Sequence, residues 1–322
     1  MVRPTVFDVF EARRRLAPHL QPTPLRSSRW LSSIAGAEVS LKLEALNLTS
    51  SFKIRGALNA ALHLVEQTDG RAAPTLVTAS AGNHGRALAL AAERLGLHCV
   101  VFTPAGAPEA KKNAIRQHGA ILHGECADYD AAEQQAKQHA ASTGAVYISP
   151  YNHRDVIAGA GTIGLELVEA MPSFDVIVIP LGGGGLASGM GLAIKAAAPH
   201  VTIVGVEVEA SSPFTQSLAA GRITEIKPEH SLADGLTGNL EAGTVTFSLV
   251  QQVVDYVVTV SEGDLVRAMA SLAVEERLIL EGAGVTATAA IMAGKASAPG
   301  QRVVSMVTGG NIDLPKWLVA IG

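Results

Sequence analysis

Ile179-Pro180-Leu181-Gly182-Gly183-Gly184-Gly185-Leu186 follows the β-branched run 175–179 and opens the Ala/Leu-rich run 186–198. An apolar strand, a glycine turn and a helix in that order form the β–α unit of a parallel sheet. Residues 176–194 carry no charge over 19 positions, close to the length of a membrane span. Pro180 and the four glycines break any lipid-exposed helix there, so the window reads as strand, loop and helix of a soluble protein. Glycines lacking Cβ let successive backbone N–H groups turn onto an anion at the positive end of the helix. In an open parallel sheet that turn lies at the carboxyl ends of the strands, where ligands bind. The same residues also satisfy a relaxed dinucleotide fingerprint, Gly182-x-Gly184-x-x-Ala187, with Glu207 25 positions beyond Gly182 to hold a ribose. The loop alone therefore leaves a phosphate ester and an NAD-type dinucleotide both open, and with the latter a dehydrogenase.

Outward from this loop the same alternation continues. Strands are expected at 75–79, 98–103, 145–149, 175–179, 201–208, 256–260 and 302–307, and helices at 86–95, 109–118, 130–142, 186–198 and 262–277. Near-continuous apolar strands separated by helices belong to parallel sheets covered on both faces, giving an α/β, doubly wound class. Turn-rich breaks near 68–74 and 149–153 bracket a β-α-β-α-β-α-β stretch. The expected organisation is a small domain over 74–149 inserted between 1–73 and 150–322, which together form a large one.

Composition narrows the function classes. Of 322 residues 48% are hydrophobic and 17% charged, enough apolar chain for a packed core and too much for disorder. Lys and Arg number 25 against 29 Asp and Glu, for a net charge of −4 without a basic block. Nucleic acid and anionic membranes therefore have no electrostatic footprint to bind. Asp8 and Glu11 interrupt the apolar run that a signal peptide requires. The two cysteines, Cys99 and Cys126, fit no metal or disulfide spacing, so a cytoplasmic protein is expected.

Three further segments carry chemistry. Ser50-Ser51-Phe52-Lys53-Ile54-Arg55-Gly56-Ala57 follows an apparent strand at 39–44 and a polar cluster at 47–51 that resembles a helix N-terminus. A lysine held near a phosphate loop and desolvated becomes an imine-forming nucleophile, whereas a lone surface lysine is a solvated helix position. Ser80-Ala81-Gly82-Asn83-His84-Gly85 follows the strand 75–79, and small residues there leave backbone N–H groups for a carboxylate. An ordinary turn with His84 on the surface fits the same residues. Finally, 303–307 runs into Thr308-Gly309-Gly310-Asn311, another strand ending in a small polar loop.

Together these segments make the chain resemble the fold-type-II pyridoxal-phosphate enzymes, in particular the threonine/serine dehydratase (ammonia-lyase) and serine racemase group. The likeness runs from Thr23-Pro24-Leu25 to Thr308-Gly309-Gly310-Asn311. It implies two open, mostly parallel twisted sheets flanked by helices, as in the tryptophan synthase β subunit, and a homodimer. It implies that Lys53 binds the pyridoxal 5'-phosphate aldehyde, that Phe52 packs on the pyridine ring and that Asn83 pairs with the 3′ oxygen. Gly182, Gly183, Gly184, Gly185 and Leu186 become the phosphate cradle, Thr308 the partner of the ring nitrogen, and Glu281 a residue beside the ring. Ser80, Ala81, Gly82, Asn83 and His84 would grip the substrate carboxylate, with Thr237, in the segment 234–239, beside the substrate side chain. The large domain would bind the cofactor and the small one move with substrate. The reaction implied is dehydration and deamination of a 3-hydroxy amino acid such as threonine or serine to a 2-oxo acid and ammonia. A larger substrate, phenylserine-like or hydroxyectoine-derived, or racemisation is the alternative, and a non-catalytic phosphate binder a third reading.

The chain departs from that group at several positions. Ala81 stands where racemases carry a proton-donating serine, which favours dehydration. Pro213 stands where an acidic ligand would complete a divalent-cation site with Glu207. Ser50 replaces the glycine of the usual Thr-Gly-Ser. No arginine is placed for a distal carboxylate, and no regulatory extension is expected beyond Asn311. A hydroxyl such as Thr308 does not force a proton onto a ring nitrogen as a carboxylate would, which favours β-elimination over transamination.

Overall fold

The computed structural model describes residues 2–80 and 82–322, so Ala81 lies outside the described residues. Ten strands are present among the described residues: β1 Leu25–Ser27, β2 Glu38–Leu43, β3 Leu76–Ala79, β4 Cys99–Pro104, β5 Ile121–Cys126, β6 Val146–Tyr147, β7 Val176–Pro180, β8 Thr202–Val208, β9 Tyr256–Val260 and β10 Arg302–Val307. They form a six-stranded sheet of order β1-β2-β10-β7-β8-β9 and a four-stranded sheet of order β5-β4-β3-β6. Every pairing is parallel except the edge pairing of β1 with β2. The α/β class with two mostly parallel, helix-flanked sheets is thus what the chain adopts.

The chain divides into two compact units. One holds the residues up to Gln21 together with Lys53–Ala160, and the other Pro22–Phe52 together with Gly161–Gly322. The division differs from the expected 74–149 insertion, because the helix Lys53–Gln67 packs with the four-stranded sheet's helices. Its Ile54, Ala57, Leu58 and Ala61 are buried in one core cluster with Leu88 and Ala91 of the helix Asn83–Leu95. Each buried leucine or isoleucine there contributes about 2 kcal/mol of apolar transfer, and alanines at the contact let the helices approach closely.

In the first unit, β3 and β4 are buried along their length, while the edge strand β5 is mostly exposed or half-buried. The helix Tyr129–Thr143 starts at Asp128, whose carboxylate accepts from the Ala131 amide at 2.8 Å. In the second unit, β10 lies between β2 and β7, with Val303 opposite Val39 on one side and Val176 on the other. The helix Glu262–Glu276 begins with a reciprocal capping box between Ser261 and Asp264. The helix Gly282–Met292 is almost entirely buried, in keeping with its uninterrupted apolar and small residues. Among the described residues no helix is long and apolar enough to cross a membrane, and the 176–194 window is β7, the glycine turn and the helix Gly185–Ala197.

Candidate active site

Lys53 is the first residue of its helix and half-buried. Its Nζ donates to the Pro150 carbonyl at 2.9 Å, in the segment that follows β6. Also in this unit, Ser80 ends the run from β3, and its buried hydroxyl accepts from the Gly82 amide at 3.2 Å. Asn83 opens the next helix, with Gly82 as N-cap. His84, one residue further, is 2% exposed, and its Nε2–H donates to the Ile148 carbonyl at 3.3 Å. Burial, reinforced by the positive charge of Lys53, pushes its pKa down to about 3. His84 is therefore a neutral imidazole in the interior, not a surface residue. With Nε2–H committed to Ile148 and Nδ1 a lone pair without a partner among the described residues, its ring has no proton to offer a carboxylate. A carboxylate bound in this segment would have to meet backbone amides and the Ser80 hydroxyl.

The other expected residues converge within the second unit. The Phe52 amide donates to the Thr308 carbonyl at 3.1 Å, Ser51 and Gly309 form an antiparallel bridge, and the Gly310 amide donates to the Ser50 carbonyl at 2.9 Å. Asn311 Nδ2 closes the pairing on the Thr49 carbonyl at 2.7 Å. Ser50 adopts φ 52°, a left-handed backbone in which a serine bears strain that a glycine would not. The Thr308 hydroxyl donates to the Ala283 carbonyl at 3.2 Å, which leaves its oxygen to accept from any other partner. Glu281, buried at 6%, is the N-cap residue of the helix Gly282–Met292, and its carbonyl accepts from the Gly284 amide at 2.9 Å. Thr237 follows the turn Asp234–Leu236, its hydroxyl donating to the Asp234 carbonyl at 3.0 Å. That turn touches the glycine loop, since a Cβ on Gly182 would lie 3.2 Å from Leu236 Cα.

The loop Gly182–Leu186 runs from the end of β7 into the helix Gly185–Ala197. Its N-cap is Gly184 at φ 83°, which has no side chain to accept from the first-turn amides. A Cβ there would stand 2.6 Å from Phe214 Cζ, so only glycine fits on both counts. One turn in, the fully buried Ser188 hydroxyl has no hydrogen-bond partner among the described residues. Amides at the positive end of a helix and an unsatisfied hydroxyl behind them suit a phosphate, so the residues present fit the implied cofactor.

Glu207 is engaged by backbone and hydroxyl donors close by in the chain. Its two carboxylate oxygens accept from the Phe214 and Thr215 amides, each at 2.7 Å, and from the Thr215 hydroxyl at 2.6 Å. It caps the helix Pro213–Ala220 from outside that helix. Burial raises its pKa while these bonds oppose the rise. Held this way it does not present itself to a ribose, and among the described residues no acidic or histidine cluster that could hold a metal is found. The residues that sequence reasoning missed are Pro150, whose carbonyl holds Lys53, and Ala283, whose carbonyl holds Thr308. Backbone acceptors leave no mark in side-chain identity.

Known proteins resemble this chain over most of its length. The family profile "Pyridoxal-phosphate dependent enzyme" matches residues 16–309. A protein of Sinorhizobium fredii described as a putative threonine dehydratase is 40% identical over 308 residues, covering 95% of this chain and 92% of the relative. The L-threonine ammonia-lyase of Thermotoga maritima is 40% identical over 312 residues, covering 96% of this chain and 76% of its own. The structure of maize serine racemase superposes with a TM-score of 0.91 at 32% identity, covering 99% of this chain and 97% of that one.

Proposed function

The chain belongs to the family of pyridoxal-phosphate dependent enzymes, and from that premise we propose a lyase that removes the hydroxyl of a 3-hydroxy amino acid such as threonine or serine. Pyridoxal 5'-phosphate, when bound, supplies the electron sink for carbanion chemistry at the substrate Cα. Residues fitted to hold it are Lys53 for its aldehyde carbon and Asn83 for its ring oxygen. Phe52, Glu281 and Thr308 would surround the ring, and Gly182 to Leu186 its phosphate. The observation that carries the reading is the loop at Gly184, a capless helix N-terminus backed by the unsatisfied Ser188 hydroxyl.

The chain's own residues then divide the work. The amides between Ser80 and His84 orient the substrate carboxylate. A neutral Lys53 Nζ takes the Cα proton, and the Pro150 carbonyl aims that nitrogen. Loss of the β-hydroxyl as water leaves an unsaturated amine, which adds water and releases a 2-oxo acid and ammonia. Thr237 and the turn Asp234–Leu236, which touches the glycine loop at Gly182, would meet the substrate side chain. The small sheet's unit moves with substrate, and the enzyme works in the cytoplasm as a homodimer.

The test is an assay of 2-oxo acid formation over threonine, serine and larger 3-hydroxy amino acids, using purified protein carrying a borohydride-bleachable chromophore. Absence of 2-oxo acid from every member of the panel rejects the reading. The likeness to serine racemase favours one second activity, racemisation. Ala81 would limit it by offering no proton on the opposite face, and chiral chromatography of recovered serine measures it.

A further inference from the structure

We propose that His153 is a positioning residue for the Lys53 amine, acting through the turn that presents the Pro150 carbonyl; this rests on the reading of Lys53 as the reactive amine. Pro150 lies in a turn that is bonded internally twice. The Ser149 hydroxyl accepts from the Asn152 amide at 3.1 Å, and His153 Nδ1 accepts from the Asp155 amide at 3.2 Å. An imidazole nitrogen accepts only when unprotonated, so the second bond requires neutral His153. Burial keeps it neutral by lowering its pKa.

The turn is also tied to the helix that Lys53 begins. The Asp155 carboxylate takes the Nδ1–H of His63 at 2.9 Å, and the Asp155 carbonyl takes the Asn59 amide nitrogen at 2.8 Å. Gln67 fixes the far nitrogen of His63 at 3.1 Å, completing the assignment of His63 as an Nδ1–H tautomer. A Cβ on Gly56 would lie 2.7 Å from the Val156 carbonyl, so the two backbones touch without intervening side chains. One helix therefore holds the turn at both ends, Lys53 on Pro150 and Asn59 with His63 on Asp155. His153 is the link between them, because its bond to the Asp155 amide fixes how the chain from Pro150 enters the next helix.

The charged neighbours fit this role. His153 faces Asp155 and His63, and the His84 ring senses both Lys53 and His153. Arg154, between His153 and Asp155, is turned away and paired with Asp8 at 2.6 Å. Both rings, lowered in pKa by burial, stay neutral beside the amine.

The test measures acylation of each lysine by acetic anhydride in the full-length protein cleared of cofactor, read by peptide mass spectrometry, beside kcat and KM of the holoenzyme. His153→Ala should raise the Lys53 labelling rate about fivefold, the scale of one lost hydrogen bond, leave Lys195 and Lys316 unchanged, and lower kcat more than KM. His153→Asn, whose side-chain oxygen can take the amide two residues on in an Asx turn, should restore both. Wild-type labelling in His153→Ala, or labelling in His153→Asn equal to that of His153→Ala, overturns the proposal. If His153→Ala does not fold, His63→Ala carries the same expectation at about twofold, and unchanged labelling there overturns it as well. Should no hydroxy amino acid be turned over while the labelling pattern holds, the assigned reaction falls and the positioning role stands.

Discussion

Phe52 and Thr308 are joined backbone to backbone at 3.1 Å across 256 positions of sequence. The residue preceding Lys53 is thereby fixed by the loop that follows β10. The Thr308 side chain is independently tied to Ala283. Replacing Thr308 by valine keeps its shape and the Phe52 bond but removes one donor from the Ala283 carbonyl, which also accepts from the Thr286 hydroxyl at 3.3 Å. It should cost about 0.5–1.5 kcal/mol, the net contribution of one hydrogen bond. Thr308→Ser should recover most of that loss in urea unfolding, and equal midpoints for wild type and Thr308→Val would show that the bond contributes nothing.

Ser50 offers a stabilising change. Left-handed backbone costs a serine about 1–2 kcal/mol, and a glycine's extra freedom in the unfolded chain costs about 0.4–1. Ser50→Gly should therefore gain roughly 0.5 kcal/mol and leave kcat within about twofold. Ser50→Ala keeps the strain and should gain nothing. A gain in the alanine variant equal to that in glycine would mean that φ is not the cause.

His84 makes stability depend on pH. Its folded pKa of about 3 lies below the ordinary 6.5, so the unfolded chain binds a proton that the folded chain refuses. Stability is complete above 6.5 and falls as the pH drops toward 3, by up to roughly 4–5 kcal/mol at about 1.4 kcal/mol per pH unit. His84→Gln keeps a donor for the Ile148 carbonyl without a titrating ring. Its stability should be flatter between pH 6.5 and 4.5, as measured by unfolding midpoints at the two pH values. Parallel curves for the two proteins would remove His84 as the source.

Lys53→Ala should lower turnover at least about a thousandfold, the loss of both a nucleophile and a base, and abolish the borohydride-bleachable absorbance. The protein should remain folded, because Lys53 begins its helix instead of lying within the packed core. Persistence of the absorbance in Lys53→Ala moves the covalent attachment to another lysine.

The sheet class was legible because β7, β8 and β10 are central, so both their faces read as apolar. β1 and β5 were not among the expected strands, and both are edges. β5 alternates His123, Gly124 and Glu125 with few buried positions, which matches no apolar run. The site was legible through Lys53, the glycines and the 308–311 loop, whose side-chain identity or lack of side chain is itself the signal. Glu207 lies near the end of β8, and its tie to the Phe214 and Thr215 amides, which depends on how the backbone returns at Pro213, leaves no mark in the sequence. The boundary between units at Lys53 was hidden because helices of both units have the same Ala/Leu composition.

The placement of β10 between β2 and β7 has a consequence for biosynthesis. The strand that completes the interior of the larger sheet is the last of the described strands to leave the ribosome. Until residue 307 has emerged, β2 and β7 each present an open row of amides and carbonyls to water. Threading a late segment into a waiting gap is a long-range closure, slow compared with helix formation. A growing chain paused shortly before Arg302 is thus the species on which a chaperone would act.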